Sequence, residues 1–408
     1  MAAMIENIKY LAETFEQFYP IGALASGGVT RLGYTAEEDR MHDTFISLAG
    51  NLGLETFVDQ AGNTFALSGG KNEPYFLIGS HLDSVVDGGR YDGVAGVIAG
   101  LLVMRWARLE GLDIPIRTAA FRCEESSNFG TYAIGSELIT SGFPGFDTAS
   151  LVGRDGRKLG DIFAERGYSL HPKKITGVRQ YLEVHIEQGR VLEQHGERVA
   201  VVSTIAGPRR FKLHIQGMAE HSGATPMNLR NDALCAAAEV ILEIERAGIA
   251  GALQHSVATV GVVHNQPNVL NVIPGMVELQ VDTRGIDVSS LDSMERQINQ
   301  ACEEICARRR VTFIREHIEE TRPVDMDKNM RQKLLKVMQA LELPHRQMMS
   351  GAGHDAVKFA ELCESAMVFI PCRAGISHNK KEFATLENIY DGARVVYEYL
   401  LKEWSGSW

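Results

Sequence analysis

Five short contexts in this chain carry histidines and acids that could hold metal. They are Gly79-Ser-His81-Leu-Asp83, Tyr91-Asp92-Gly93, Cys123-Glu124-Glu125, Glu183-Val-His185-Ile-Glu187 and Gly375-Ile-Ser-His378-Asn379. No two of them make a compact metal motif, but together they supply enough imidazoles and carboxylates for two divalent ions. A hydrolytic metal site needs neutral imidazoles, ionised carboxylates and an open position for water. A second ion needs a bridging group, and a carboxylate has two oxygens to offer. Asp92 suits that role because the glycine after it lets the backbone approach closely. In an extended His81-Leu-Asp83, side chains two apart face the same way, so Asp83 is placed to accept the outer N–H of His81 and fix its tautomer. Glu124 and Glu125, adjacent on an extended segment, face opposite ways, one towards metal and one towards substrate. The second would take a proton from metal-bound water, whose pKa the metal lowers towards ~7, and pass it to a leaving amine. Singly, each context is ordinary: a structural histidine, an Asp-Gly turn, a solvated glutamate pair. Their co-occurrence carries the reading.

The elements that must position them are legible in outline. Thr35-Ala-Glu-Glu38 is a capping-box pattern opening a helix through about residue 52. Tyr75-Phe-Leu-Ile78 is a buried-strand pattern ending at Gly79, which sets His81 and Asp83 just beyond its carboxyl end. Residues 93–107 are small and apolar nearly all round, as in a buried helix, and 118–123 read as the strand that delivers Glu124 and Glu125. Strands alternating with helices predict an α/β sheet. The middle has another rhythm: a strand at 210–216, a helix at 232–247, strands near 257–264 and 276–284, a helix near 290–309 and a strand near 311–317. That β-α-β-β-α-β order is ferredoxin-like. His214 and His264 fall on its strands and read as structural. A complete unit lying between His185 and His378 predicts an insertion, with one domain at 1–209 and 324–408 and a second at 210–323.

Bulk properties narrow the partners. The 408 residues suffice for two domains, and 23% charged with 45% hydrophobic residues is ordinary for a globular protein. A formal net charge of −11 argues against nucleic acid or an anionic membrane as partner. There is no run of eighteen apolar residues and no signal-peptide pattern at the N-terminus, so a cytoplasmic protein without a membrane span is expected. The cysteines at 123, 235, 302, 306, 363 and 372 are scattered and read as free thiols in a reducing cytosol.

The segments Gly27-Gly-Val-Thr-Arg-Leu32, Gly79-Ser-His-Leu-Asp-Ser84, Glu183-Val-His-Ile-Glu-Gln-Gly189, His221-Ser-Gly-Ala-Thr-Pro-Met227, Asn271-Val-Ile-Pro274, Gly351-Ala-Gly-His-Asp355 and Gly375-Ile-Ser-His-Asn379 span almost the whole chain. They resemble the hydantoinase/carbamoylase group of di-metal amidohydrolases, within the clan of di-zinc exopeptidases and aminoacylases. The resemblance implies an α/β catalytic domain with a mixed central sheet and an inserted α+β, ferredoxin-like lid and dimerisation domain. It implies one divalent ion on His81, Asp92 and His185 and another on Asp92, Glu125 and His378, with Glu124 as general base and then acid. Zinc, manganese, cobalt and nickel all accept such ligands. It also implies that Gln188, His221, Asn271 and Arg284 bind substrate. Arg284 would clamp a carboxylate, and His221 and Asn271 would stabilise the oxyanion. His354, near the site by resemblance, is expected to have a substrate-contacting or positioning role rather than a plain structural one. In relatives the counterpart of His221 reaches the other subunit's site, so a homodimer is implied.

The activity so implied is hydrolysis of the ureido C–N bond of an N-carbamoyl-L-amino acid, giving amino acid, ammonia and carbon dioxide. Gly207-Pro-Arg209-Arg210-Phe211 and Gly375-Ile-Ser-His378-Asn379 look more like allantoate amidohydrolases, and residues 26–38 more like carbamoylases. β-Ureidopropionase is a further alternative within the group. Dipeptide or N-acyl-amino-acid hydrolysis fits less well, since Arg284 and Asn271 suit a small substrate without a second side-chain pocket. A binding protein on a worn-out scaffold would have lost a ligand or the base, and neither is lost. A purely structural zinc site is disfavoured, since such sites are closed and cysteine-rich. One departure from the group bears on substrate preference: Ser126 and Asn128 stand where relatives commonly carry glycine and a basic residue.

Overall fold

A computed structural model describes residues 2–69 and 74–408. By contacts the chain divides into two units, residues 1–203 with 325–408, and residues 204–324.

The first unit is built on a nine-stranded mixed sheet. Its centre is four parallel neighbours in the order Ile116–Phe121, Tyr75–His81, Val178–Ile186 and Glu364–Ile370. Antiparallel strands flank them on both sides. All seven residues of Tyr75–His81 are buried, as expected of a parallel strand covered on both faces. Helix Val94–Leu109 is small and apolar, and it packs on this centre alongside helix Leu386–Ser405. The four parallel strands therefore end side by side, and the residues at and just after their carboxyl ends form one edge.

The sequence patterns hold in outline and differ at the ends. Strand Tyr75–His81 runs three residues further than its apolar core, so His81 closes the strand rather than lying beyond it. Helix Ala36–Asn51 forms without the expected capping box. Thr35 Oγ1 donates to the Leu32 carbonyl instead. Glu38 turns inward, where its carboxylate accepts the backbone N–H of Tyr34 and Cys123 and pairs with buried Arg122 at 2.9 Å.

The second unit is an antiparallel four-stranded sheet with helices Ala233–Gly251 and Val288–Arg309 packed on it. In chain order its strands are Gly207–Gln216, Val257–Gln266, Met276–Gly285 and Thr312–Glu320. Numbered within the unit, their spatial order is 4-1-3-2, which makes it ferredoxin-like. Phe211, Leu213 and Ile215 point into its core, while Arg210, Lys212 and His214 alternate onto the opposite face. Asp232 starts the first helix by accepting from the N–H of Leu234 and Cys235.

Candidate metal centre

Every ligand expected for the two ions stands at or beyond the carboxyl end of one of the four central strands, or on the Asp92 loop beside them. His81 ends its strand, and His185 lies one residue before the end of the next. Glu124 and Glu125 come after Phe121, and His378 comes after Ile370. Asp92 precedes helix Val94–Leu109. Gly93 between them has φ +64°, and a Cβ there would sit 2.6 Å from the His81 ring. Only glycine allows this turn to pass so close to the imidazole.

Asp92 divides its two oxygens between two groups. Oδ1 lies 3.0 Å from His185 Nε2 and 3.6 Å from His81 Nε2. Oδ2 lies 3.3 Å from His378 Nε2, and Glu125 Oε1 is 3.1 Å from that same nitrogen. His81, Asp92 and His185 thus make one compact ligand trio, and Asp92, Glu125 and His378 make another. His185 Nδ1 donates to the Ile186 carbonyl at 2.8 Å, which leaves Nε2 with its lone pair aimed at a carboxylate oxygen. That Nε2 is buried and has no hydrogen-bond partner among the described residues. A lone pair facing a carboxylate at contact distance favours a cation between them, a proton or a metal ion, and the imidazole and carboxylate donors gathered here suit a divalent ion. The donor set fits two divalent ions on this ground.

Electrostatics agree with a site that gathers positive charge. Burial depresses His81, but the Asp83 and Asp92 carboxylates outweigh it and raise its pKa well above the usual range. His185 is raised in the same way, with Asp92 opposing burial. Asp92 and Glu125 push His378 up to about 11. Burial raises Glu124 well above the carboxylate range, with His81 opposing and Glu125 adding to the shift. Glu124 Oε2 stands 3.8 Å from His81 Nε2, beside the first trio but not in it.

Asp83 does more than its spacing suggested. Its Oδ1 is 3.3 Å from His81 Nδ1, as expected of a tautomer-fixing partner. The same carboxylate also accepts the backbone N–H of Glu124 and of Glu125, each at 3.0 Å. The two glutamates do diverge, but not because the segment is an extended strand. The strand stops at Phe121, Cys123 turns left-handed at φ +53°, and Asp83 anchors the two glutamates by their backbone.

Other expected residues fall in less expected places. Gln188 Nε2 donates to Asp92 Oδ2 at 2.9 Å and approaches Ser377 Oγ at 3.3 Å, so Gln188 stands at the bridging carboxylate itself. Its buried Oε1 has no partner among the described residues. His354 is buried, with Nε2 on the Ser350 hydroxyl and its ring edge-on to His185 at 4.5 Å. It packs against a ligand ring, a place suited to positioning His185. Glu183, His185 and His354 form a third acid–histidine group. There Glu183 already accepts from Ser80, Tyr181 and the Ala356 N–H, so it is a structural carboxylate. Asn128 joins the Gly33 carbonyl to the Arg154 N–H, a structural tie between loops.

His221, Asn271 and Arg284 belong to the second unit. The segments of His221 and Asn271 are bridged by backbone pairing, Ser222 N–H donating to the Asn271 carbonyl at 3.0 Å. His221 Nδ1 accepts from the N–H of Gly223 and Ala224, which leaves Nε2 as the protonated, donating nitrogen. Arg284 lies along Asp282, two residues away on the same strand face, with Nη2 to Oδ2 at 2.9 Å.

Two residues escaped sequence reading. Glu382 is buried and accepts from the N–H of Tyr91 and of Asp92, and Ser377 Oγ reaches both Glu382 and Asp92. A glutamate in Lys380-Lys381-Glu382 gives no signal of burial.

Residues 77–402 match the family described as peptidase family M20/M25/M40. An N-carbamoyl-L-amino acid amidohydrolase of Geobacillus stearothermophilus is 37% identical, over 92% of this chain and 94% of its own. An allantoate amidohydrolase of Escherichia coli is 32% identical, over 95% of each chain. A crystal structure of an amidase of the hydantoinase/carbamoylase family from Burkholderia multivorans superposes with a TM-score of 0.89 at 34% identity, over 97% of each chain.

Proposed function

This chain belongs to peptidase family M20/M25/M40, as an amidohydrolase of the carbamoylase and allantoate amidohydrolase type that acts on non-peptide C–N bonds, and from that premise we propose that its substrate is an N-carbamoyl-L-amino acid. The pair of ligand trios sharing Asp92, with Glu124 beside them, carries the hydrolytic chemistry, and the Geobacillus stearothermophilus relative favours a carbamoyl substrate. His81, Asp92 and His185 would hold one divalent ion, and Asp92, Glu125 and His378 the other. Zinc, manganese, cobalt or nickel would suit these donors. When bound, the ions supply Lewis acidity and lower the pKa of water.

The residues do the rest. The Glu124 carboxylate takes the proton of the attacking water and returns it to the leaving nitrogen. Water adds across the ureido C–N bond, the amine leaves as the free amino acid, and the carbamate falls apart to ammonia and carbon dioxide. His221 Nε2–H and the Asn271 amide donate to the oxyanion, and the Arg284 fork takes the substrate carboxylate. The 204–324 unit would act as lid and dimerisation domain. The loops of His221 and Asn271 are exposed, with Met227 at 77% and Leu270 fully open. That supports a homodimer in which His221 serves the partner's site. No helix among the described residues is long and apolar enough to cross a membrane.

Allantoate is the second reading, favoured by the Escherichia coli relative. Purified protein loaded with each metal is to be assayed on a panel of N-carbamoyl-L-amino acids, β-ureidopropionate and allantoate. The expected outcome is fastest release of ammonia from a carbamoyl amino acid. A preference for allantoate replaces the first reading with the second, and no turnover of any ureido acid sinks both. Glu124→Gln should keep its metal while turnover falls about 10²–10⁴-fold.

A further inference from the structure

Glu382 lies outside both ligand trios yet ties their shared member to the segment of His378. We propose that Glu382 is a positioning residue that sets Asp92 as the bridge. An ion held by Asp92, Glu125 and His378 would then depend on a carboxylate that is not one of its ligands. The inference rests on the two-ion reading above.

Four contacts support it. Glu382 Oε1 accepts the N–H of Tyr91 at 2.8 Å and of Asp92 at 3.0 Å, fixing the backbone from which the bridging carboxylate springs. Glu382 Oε2 lies 2.8 Å from Ser377 Oγ, one residue before His378. Ser377 Oγ in turn lies 3.0 Å from Asp92 Oδ2, the oxygen that faces His378. The carboxylate is seated, not accidental: Glu382 is 3% exposed. A Cβ on Gly89 would lie 2.1 Å from its carboxyl group, so the loop that carries Asp92 is shaped around this side chain. Asp92 and Ser377 lie 285 positions apart in the chain, and Glu382 with the Ser377 hydroxyl joins them. Partners of this kind beyond the direct ligands commonly change metal affinity by about 10–100-fold.

The test uses metal-free full-length protein titrated with Co²⁺ by equilibrium dialysis, with visible absorption reporting each site. Wild type is expected to take two ions, and fewer than two would sink the two-ion reading itself. Given two, Glu382→Ala should weaken one ion about 10–100-fold and leave the other near wild type. Glu382→Gln keeps an oxygen for both N–H groups and should restore most of the loss. Wild-type affinity for both ions in Glu382→Ala, or equal loss of both, overturns the inference. If circular dichroism shows that Glu382→Ala does not fold, Ser377→Ala decides, since it removes only the hydroxyl between Glu382 and Asp92. Weakening of one ion about tenfold supports the proposal. Unchanged affinity for both overturns it.

Discussion

The two clusters of functional side chains are held by different means. Around the metal ligands, buried carboxylates grip pairs of backbone N–H groups. Asp83 holds Glu124 and Glu125, Glu382 holds Tyr91 and Asp92, Glu187 holds Val191 and Leu192, and Glu38 holds Tyr34 and Cys123. Hydrogen bonds to a charged group contribute about 1.5–3 kcal/mol each, so these loops are fixed before any substrate arrives. His221 and Asn271 instead sit exposed on loops of the second unit, and Arg284 leans on Asp282 of its own strand. The contrast separates two demands. The reaction needs groups preorganised at the reacting bond. Recognition of a particular acid is left to residues whose surroundings can vary without disturbing that geometry.

The largest break in this comparison is expected at Asp83. Asp83→Ala leaves two buried N–H groups without an acceptor and His81 without its carboxylate. Turnover should fall by about 10³-fold or more, and metal affinity about 10–100-fold. Turnover near wild type would show that the loops hold themselves. In the second unit the next effect is smaller: His221→Ala should cost about 10²–10³-fold in kcat with metal content unchanged. If His221 serves the partner, mixing this variant equally with Glu124→Gln should restore about a quarter of the wild-type rate, since half the dimers are mixed and each has one complete site. No recovery would assign His221 to its own subunit.

The same contrast marks what could be read from sequence. Strand ends were legible because an apolar run leading into His or Glu-Glu implies a residue carried to the sheet edge, as His81 and Glu124 show. The ferredoxin-like unit was legible from its alternation, for instance Phe211-Lys-Leu-His-Ile215. The carboxylate grips were not. Glu38 stands in a capping-box pattern, yet its carboxylate reaches past the N-cap to the N–H of Tyr34 and on to Arg122 and Cys123. Glu382 comes after two lysines and looks like surface until the fold closes over it. Gln188 resembles a substrate contact, and only the structure places its amide on Asp92. Such contacts join positions far apart in the chain, so no local pattern encodes them.

Arg284→Lys should lower kcat/KM about 10–100-fold, chiefly through KM, because a single ammonium cannot reproduce the two-pronged grip on a carboxylate. An equal fall for a carboxamide analogue of the substrate would remove Arg284 from carboxylate recognition. The smallest effect on turnover is expected at Glu38, the grip furthest from the reacting groups. Glu38→Gln keeps one oxygen for one N–H but turns an amide nitrogen towards the other, and it removes a charge from buried Arg122. Arg122 still has Asp39 at 2.7 Å and the Gly62 carbonyl at 2.8 Å. The loss of stability should therefore be about 3 kcal/mol, at the low end for breaking a buried pair, measured by denaturant unfolding. Turnover per folded molecule should change less than in any preceding variant, because Asp83 still anchors Glu124 and Glu125. A collapse of turnover in stable Glu38→Gln protein would mean that the grips act as one network rather than as separate anchors.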